Sequence, residues 1–146
     1  MEKGYIKVDS TQYYTDKEKD STVFTSEVQY QSKGSLFYLK YLDIANDVGK
    51  DIENKIIISS DFLKIERTGM GNNKLIFNKD RLWDGFYPTP YGVFQIQTKL
   101  ISLNKVEGDN VISFQIEYEI LFEMKDKIRT VLKIDIANEL CYILEQ

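Results

Sequence analysis

Hydrophobic and polar residues alternate most regularly towards the C-terminal end of the chain. Between residues 111 and 122, every second residue is Ile, Phe or Tyr, and the intervening residues are mostly Ser, Gln and Glu. The same period of two recurs over residues 128–137 and 93–101. This pattern is typical of a β-strand with one buried and one solvated face. The three segments therefore predict three consecutive antiparallel strands.

Shorter segments of similar character occupy the first half of the chain, separated by polar or glycine-containing turns. We expect strands at residues 5–14, 23–32, 36–42, 55–60, 62–67 and 74–78. About nine strands without an intervening helical pattern indicate a sandwich or a barrel. The meander order with short turns favours an all-β fold, an antiparallel up-and-down β-barrel of about eight to ten strands, because closure removes exposed strand edges.

The length of the chain indicates a single domain. A chain of 146 residues buries enough of its surface to form an independent core. We expect the barrel to occupy residues 1–137. Residues 138–146 form a C-terminal extension whose apolar spacing fits a helix and a strand equally well.

Charge and composition narrow the possible partners and the location. The formal net charge of -4 disfavours nucleic acid, because a phosphate backbone would be repelled. The chain has no apolar stretch long enough for membrane insertion, and its first residues lack the apolar core of a signal peptide. The single cysteine suits a reducing compartment. We therefore expect a cytoplasmic protein that binds neither nucleic acid nor membrane.

Several short motifs occur along the chain in a characteristic order: Gly34, Tyr38, Tyr41, Arg67-Thr68-Gly69, Phe77, Tyr87-Pro88-Thr89-Pro90-Tyr91-Gly92 and Tyr118-Glu119. In this order and spacing they resemble the YwiB-like family of bacterial proteins, also called DUF1934. The resemblance spans roughly residues 6–137 and implies a calycin-like β-barrel, the broad architecture of lipocalins and fatty-acid-binding proteins, with no established activity. The chain lacks a Gly-x-Trp motif near its N-terminus, which departs from true lipocalins, and residues from 138 onwards lie beyond the match.

The absence of histidine excludes much familiar chemistry. Ser-His-Asp and Cys-His catalysis and His-ligated zinc are impossible, and one cysteine cannot form a thiolate zinc site. No glycine-rich phosphate-binding motif is present. Glu117 and Glu119 share the polar face of their strand, and we interpret them as solvated surface carboxylates. We interpret Cys141 as a small buried hydrophobic residue. The sequence thus predicts neither an enzyme nor a cofactor or metal site.

Arg67 and an aromatic segment are the strongest candidates for a binding site. Arg67 shares the parity of Leu63 and Ile65, so its guanidinium should point inwards and needs an internal partner or an anionic ligand group. Residues 81–92 contain four aromatic residues and both prolines, and predict a stiff, irregular connection. This connection would plug one barrel end, cover a cavity as a lid or rim, or form an exposed partner-binding patch.

Two functions follow from these features. The first is the binding of a small apolar or amphipathic ligand in the barrel, although the large inward-facing side chains also suit a filled interior. The alternative is a non-catalytic protein–protein interaction or regulatory module that uses the aromatic loop at residues 83–92, with a protein partner or a homodimer as its complex. The candidate ligand-binding residues are Arg67, Trp83, Tyr87, Tyr91 and Tyr118.

Overall fold

The computed structural model describes residues 1–15, 18–43, 52–69, 73–89, 91–123 and 126–144. In these ranges the chain forms strands and one short C-terminal helix. Their order along the chain is β1 (Glu2–Tyr13), β2 (Lys19–Lys33), β3 (Leu36–Asp43), β4 (Ile52–Ile58), β5 (Phe62–Thr68), β6 (Asn73–Asn78), β7 (Trp83–Thr89), β8 (Gly92–Glu107), β9 (Ile112–Phe122), β10 (Lys127–Ala137) and α1 (Leu140–Leu144).

All ten strands belong to one antiparallel sheet in the order β6-β5-β4-β3-β2-β1-β10-β9-β8-β7. The first strand pairs with the last, so that Tyr5 lies opposite Ala137. Each strand is therefore flanked by its neighbours in sequence, with β10 and β1 joining the two ends of the chain. This arrangement confirms the up-and-down β-barrel.

The barrel closes at a seam between β6 and β7. In the described part of the chain no backbone ladder joins these two strands, although β6 contacts both β7 and β8. The buried hydroxyl of Thr98 in β8 donates a hydrogen bond to the backbone carbonyl of Ile76 in β6. A side chain thus connects the two sides of the β6–β7 seam where a ladder would do so elsewhere in the wall.

Apolar side chains from the inner face of the wall fill the barrel. Because side chains alternate across a strand, each strand contributes every second residue to this core. Phe37 and Phe114 contact each other with ring centroids 5.1 Å apart. The largest fully buried side chains are those of Phe77, Phe114, Ile6, Leu39, Ile56, Ile58, Leu63, Leu100, Ile116, Ile134, Ile136 and Ile143.

The outer face of the wall carries charged side chains, as the alternation predicts. Glu117 forms an ion pair with Arg129, and Glu119 forms one with Lys127, each with a nitrogen–oxygen distance of 2.7 Å. Cross-strand pairs of this kind stabilise a sheet modestly. Both glutamates therefore lie on the outer face, as predicted, but their side chains are only 26% and 18% exposed, so they are ion-paired and largely covered rather than freely solvated.

The C-terminal extension folds as a short helix against the outside of β1 and β10. Ile143 of α1 is fully buried, and Asp135 and Ala137, on the outward parity of β10, are buried as well. Cys141 is exposed, so the expectation that it is a buried hydrophobic residue is wrong. On a helix of five residues, only one face contacts the barrel, and Ile143 occupies that face.

The prediction of an irregular connection at residues 81–92 is also wrong. Residues 83–89 form β7, which pairs with β8 from Trp83 opposite Thr98 to Thr89 opposite Gly92. The prolines and glycines of this segment favoured the prediction of a loop over that of a strand. Both residue types are tolerated, however, in a strand that lacks a ladder on one side. The side chains of Trp83 and Phe86 are exposed, so they do not plug the barrel.

Turns are found where glycine permits unusual backbone geometry. Gly34 has a φ of 62° in the β2–β3 turn, and Gly92 has a φ of 133° at the start of β8. Both values lie in the region that favours glycine. The turn predicted at residues 46–51 lies outside the described residues. Among the helices of the described ranges, none has the length and apolar character needed to cross a membrane.

Candidate ligand-binding site

Polar side chains form a row across the inner face at one end of the barrel. The strand register places Tyr41 of β3 opposite Asn54 of β4, Asn54 opposite Arg67 of β5, and Arg67 opposite Asn73 of β6. Facing residues on adjacent strands lie about 5 Å apart, so these four side chains are direct neighbours. We call Tyr41, Asn54, Arg67 and Asn73 the polar row.

Arg67 is the charged centre of the polar row. Its Nε donates a hydrogen bond of 3.0 Å to Oδ1 of Asn54. Its Nη2 lies 3.9 Å from Oδ2 of Asp43, which is buried at the end of β3. The Arg67 side chain is nevertheless 48% exposed, so part of the guanidinium faces the open end of the barrel. The Arg67 side chain thus points inwards, as expected, and binds internal partners. Its remaining guanidinium donors lie at the rim of the barrel.

Two buried amides in the polar row have unused hydrogen-bonding capacity. Asn54 is 1% exposed, and its Nδ2 has no hydrogen-bond acceptor among the described residues. The buried Oδ1 of Asn73 likewise has no donor there. Leaving such a group unsatisfied costs about 1–3 kcal/mol. The polar row therefore calls for an additional hydrogen-bonding group beside Arg67, from water or from a ligand.

Two buried tyrosines extend this polar environment towards the core. Burial raises the pKa of Tyr41, and the positive charge of Arg67 opposes the increase. Burial also raises the pKa of Tyr118, against the effects of the Thr130 side chain and Arg67. The Tyr118 ring contacts Phe77 at a centroid distance of 4.2 Å. Both hydroxyls stay protonated at neutral pH and can donate hydrogen bonds.

The free energy of unfolding should fall as the pH rises above about 10. Tyr41 and Tyr118 have raised pKa values in the folded protein, whereas tyrosine in the unfolded chain titrates near its ordinary value. The stabilisation is complete below the unfolded pKa and declines above it, by up to about 1.4 kcal/mol per pH unit for each group. Urea denaturation between about pH 9 and about pH 11 measures this slope. The slope should be shallower in Tyr41→Phe, and an equal slope would contradict the role of Tyr41.

Tyr87 also faces this end of the barrel. It is half-buried against the core, and its ring meets Phe122 edge-on with centroids 5.8 Å apart. The negative charge of an ionised Tyr87 would raise the pKa of Tyr118, which requires the two side chains to lie near each other. Three of the predicted site residues, Arg67, Tyr87 and Tyr118, therefore converge.

The other two predicted site residues do not join this group. Trp83 begins β7 and so lies towards the opposite end of the barrel, where its ring has a cation–π contact of 5.9 Å with Arg81. Tyr91 lies in the turn after β7, and its side chain is 93% exposed. Neither side chain contributes to the polar row.

Sequence reasoning missed the residues that hold Arg67. Asn54 shares the inward parity of Ile52, Ile56 and Ile58, and an amide in that apolar series was the available signal. The strand was predicted to start at residue 55, three residues after the observed start of β4 at Ile52, so Asn54 fell outside it. Asp43 follows the predicted end of β3 and showed no comparable signal.

A groove of about 900 Å³ is lined mainly by residues of β1–β4, among them Tyr41 of the polar row. Its lining includes Lys40 of β3 and Glu53 of β4, whose side chains form a loose ion pair at 3.8 Å. Glu53 also lies 3.8 Å from Lys55. None of the buried side-chain atoms that lack a hydrogen-bond partner among the described residues belongs to the lining of this groove.

Fold and site together define a β-barrel with a filled apolar interior and an arginine-centred polar end. The chain belongs to the family described as "Domain of unknown function (DUF1934)", whose model matches residues 6–135. It is similar in structure to the YwiB protein from Bacillus subtilis, with a TM-score of 0.71 and 15% identity over 93% of this chain and 92% of that chain. At this identity the likeness supports the fold alone. A comparison with curated proteins gives no match.

Proposed function

We propose that this protein binds a small amphipathic molecule at the Arg67 end of the barrel. The observation that carries the proposal is the unsatisfied Nδ2 of Asn54, buried beside the partly exposed guanidinium of Arg67. Both groups are donors, so they suit an oxygen atom of a ligand, above all one with negative charge. The apolar part of the ligand would lie against the half-buried rings of Tyr87 and Phe122.

The packing of the barrel limits the size and position of this ligand. Fully buried side chains such as Phe77 and Ile134 occupy the interior below the polar row. A barrel of this size has room for its own side chains or for one small ligand. The proposed ligand therefore occupies the end of the barrel, and the calycin-like character suggested by the sequence would apply to that end.

The proposed role is binding without catalysis. The chain contains no histidine, and the acid nearest to Arg67 among the described residues is Asp43, which is already held by that arginine. An arginine side chain offers hydrogen-bond donors and no acceptor. These features support a ligand held by charge and hydrogen bonds.

Replacing Arg67 with glutamine should weaken the binding of an amphipathic anion about tenfold or more, since a charged hydrogen bond contributes about 1.5–3 kcal/mol. The probe is 8-anilinonaphthalene-1-sulfonate, titrated by fluorescence, because it combines aromatic rings with a sulfonate. The matched control is Arg129→Gln, which removes an arginine that is ion-paired with Glu117 on the outer face. Equal affinities of Arg67→Gln and Arg129→Gln would refute the site.

Native mass spectrometry of the protein purified from its own host shows whether a ligand or ordered water satisfies the buried amides of the polar row. A small added mass in the wild type, absent in Arg67→Gln, would support the proposal and identify the ligand class by fragmentation. A bare mass combined with no Arg67-dependent probe binding would assign the unsatisfied amides to ordered water.

A second candidate function is protein contact through residues 83–92. Phe86 is 61% exposed on β7, and Tyr91 and Trp83 of the same segment are also exposed. Aromatic residues are enriched at protein interfaces, and charged residues are depleted at their centres. This exposure favours the segment as a contact surface over the other described parts of the wall, which carry many ion pairs.

A further inference from the structure

The polar row presents two different buried atoms on the two sides of Arg67. The strand register places Asn54 of β4 on one side of Arg67 and Asn73 of β6 on the other. The buried atom without a partner among the described residues is a donor, Nδ2, at Asn54, but an acceptor, Oδ1, at Asn73. A head group that satisfies both amides must therefore offer an acceptor to Asn54 and a donor to Asn73.

The guanidinium between the two amides accounts for their orientations. Nε of Arg67 donates a hydrogen bond of 3.0 Å to Oδ1 of Asn54, so the remaining polar atom of that amide is the donor Nδ2. Arginine has donors only, so the orientation of Asn73 that suits its neighbour is the one with Oδ1 buried beside it. The backbones of β4 and β6 lie about 10 Å apart with β5 between them, which allows separate groups of one ligand to meet the two amides.

The charge of Arg67 determines which ligand group meets each amide. A carboxylate is attracted to the partly exposed guanidinium and can also accept a hydrogen bond from Nδ2 of Asn54. The group that donates to Asn73 should be neutral, because an ammonium group beside the guanidinium would be repelled. Asp43, the acid that pairs with Arg67, belongs to β3 and so lies on the far side of β4 from Asn73.

We propose that the head group of the ligand is a carboxylate with a neutral hydrogen-bond donor, a hydroxyl or an amide N–H, close to the carboxyl group. The carboxylate binds Arg67 and Asn54, and the neutral donor binds Asn73. This inference rests on the binding function proposed for the Arg67 end of the barrel and names the ligand class, which is amphipathic hydroxy acids and N-acyl amino acids. A plain fatty acid lacks the donor and leaves Oδ1 of Asn73 unsatisfied, so it binds more weakly.

Three carboxylates of similar length test the neutral donor. Isothermal titration calorimetry of the wild-type protein compares decanoate, which has no donor, with β-hydroxydecanoate and N-octanoylglycine. The hydroxy acid, the acylglycine or both should bind about tenfold more tightly than decanoate, because decanoate leaves a buried acceptor unsatisfied. The ligand with the higher affinity then shows whether the donor is a hydroxyl or an amide N–H.

Two substitutions on β6 test the assignment to Asn73. Asn73→Leu should abolish the preference for the donor-bearing ligand while changing the affinity for decanoate by no more than about twofold, because only the contact with the donor is lost. The matched control is Asn78→Leu at the other end of β6, where Oδ1 accepts a hydrogen bond of 3.0 Å from the backbone nitrogen of Asp80. This control should keep the preference of the wild type.

The outcomes separate this inference from the proposed function. Equal affinities of all three ligands for the wild type, each weakened in Arg67→Gln, would overturn the neutral donor and leave the anion site standing. No binding of any ligand, or binding that Arg67→Gln does not weaken, would overturn both. A preference that persists in Asn73→Leu would refute the role of Asn73. If that variant does not fold, the two enantiomers of β-hydroxydecanoate test the wild type, since a fixed acceptor favours one of them and equal affinities would contradict it.

Discussion

Replacing Phe77 with alanine should lower the free energy of unfolding by about 3–5 kcal/mol. Phe77 is fully buried on β6 and contacts the Tyr118 ring, so the truncated side chain would leave a cavity beside a buried hydroxyl. Because β6 has no ladder on the side of the β6–β7 seam, packing by Phe77 is a major attachment of this strand to the barrel. Urea denaturation followed by tyrosine fluorescence and circular dichroism measures the loss.

The matched control is Phe86→Ala on the neighbouring strand. Phe86 is exposed, so its removal from a monomer should change the free energy of unfolding by less than about 0.5 kcal/mol. Measurement at low protein concentration keeps association from contributing. A loss below about 1 kcal/mol for Phe77→Ala would mean that the core relaxes around the cavity, which contradicts a closely packed interior.

Replacing Gly4 with alanine should destabilise the protein by about 1–3 kcal/mol. A Cβ atom at this position would lie 2.5 Å from the backbone oxygen of Ala137 and 3.0 Å from Cε1 of Tyr30. The backbone of β10 cannot move without disturbing its pairing with β1, and the Tyr30 ring is stacked on Phe37. The added methyl group therefore separates β1 from β10. Thermal unfolding of Gly4→Ala measures the effect.

Gly85→Ala is the control for this substitution. Gly85 also lies in a strand, but the nearest atoms to its added Cβ are 3.9 Å away, at ordinary contact distance. Alanine should be neutral there or slightly stabilising, because it restricts the unfolded chain. If Gly4→Ala and Gly85→Ala unfold at the same temperature, the close approach at Gly4 has no structural role.

The alternation of hydrophobic and polar residues predicted best those strands whose two faces differ most in burial. The segment at residues 111–122 corresponds to Ile112–Phe122, and the segment at residues 128–137 corresponds to Lys127–Ala137. The third segment was predicted to end at residue 101, but β8 continues to Glu107. The pairing of β8 with β9 shifts register between Leu100 and Ser102, and this bulge reverses the parity on which the pattern depends.

β7 could not be predicted from alternation because large apolar residues occur on both of its faces. Trp83 and Phe86 have opposite parity and are both exposed. Pro88 also lacks the backbone donor that a central strand would need. The length of β2 was underestimated for a related reason, since its first residues from Lys19 are polar and exposed.

Only those residues of the candidate site whose type contrasts with the pattern of their strand could be predicted from the sequence. Arg67 was identified because it is a charged residue at an inward-facing position of a strand whose other inward-facing residues are apolar. The hydrogen bond of its side chain confirms the inward direction. Its contact with Asp43 joins the end of β3 to β5 across an intervening strand. Such a contact depends on register, which a single sequence does not supply. The unsatisfied amides of the polar row emerge only from the three-dimensional arrangement.

The pairing of β1 with β10 sets the order in which the barrel can form. Strands β1–β6 and β7–β10 are successions of hairpins that assemble from residues close together in the chain. The two groups join through neighbours such as Tyr5 and Ala137, near opposite ends of the sequence, while the β6–β7 seam offers no ladder that would unite them earlier. Closing so long a loop costs entropy before any contact compensates for it. Docking of the first strand on the last should therefore be the late, slow step of folding, on the millisecond-to-second scale typical of proteins dominated by distant contacts.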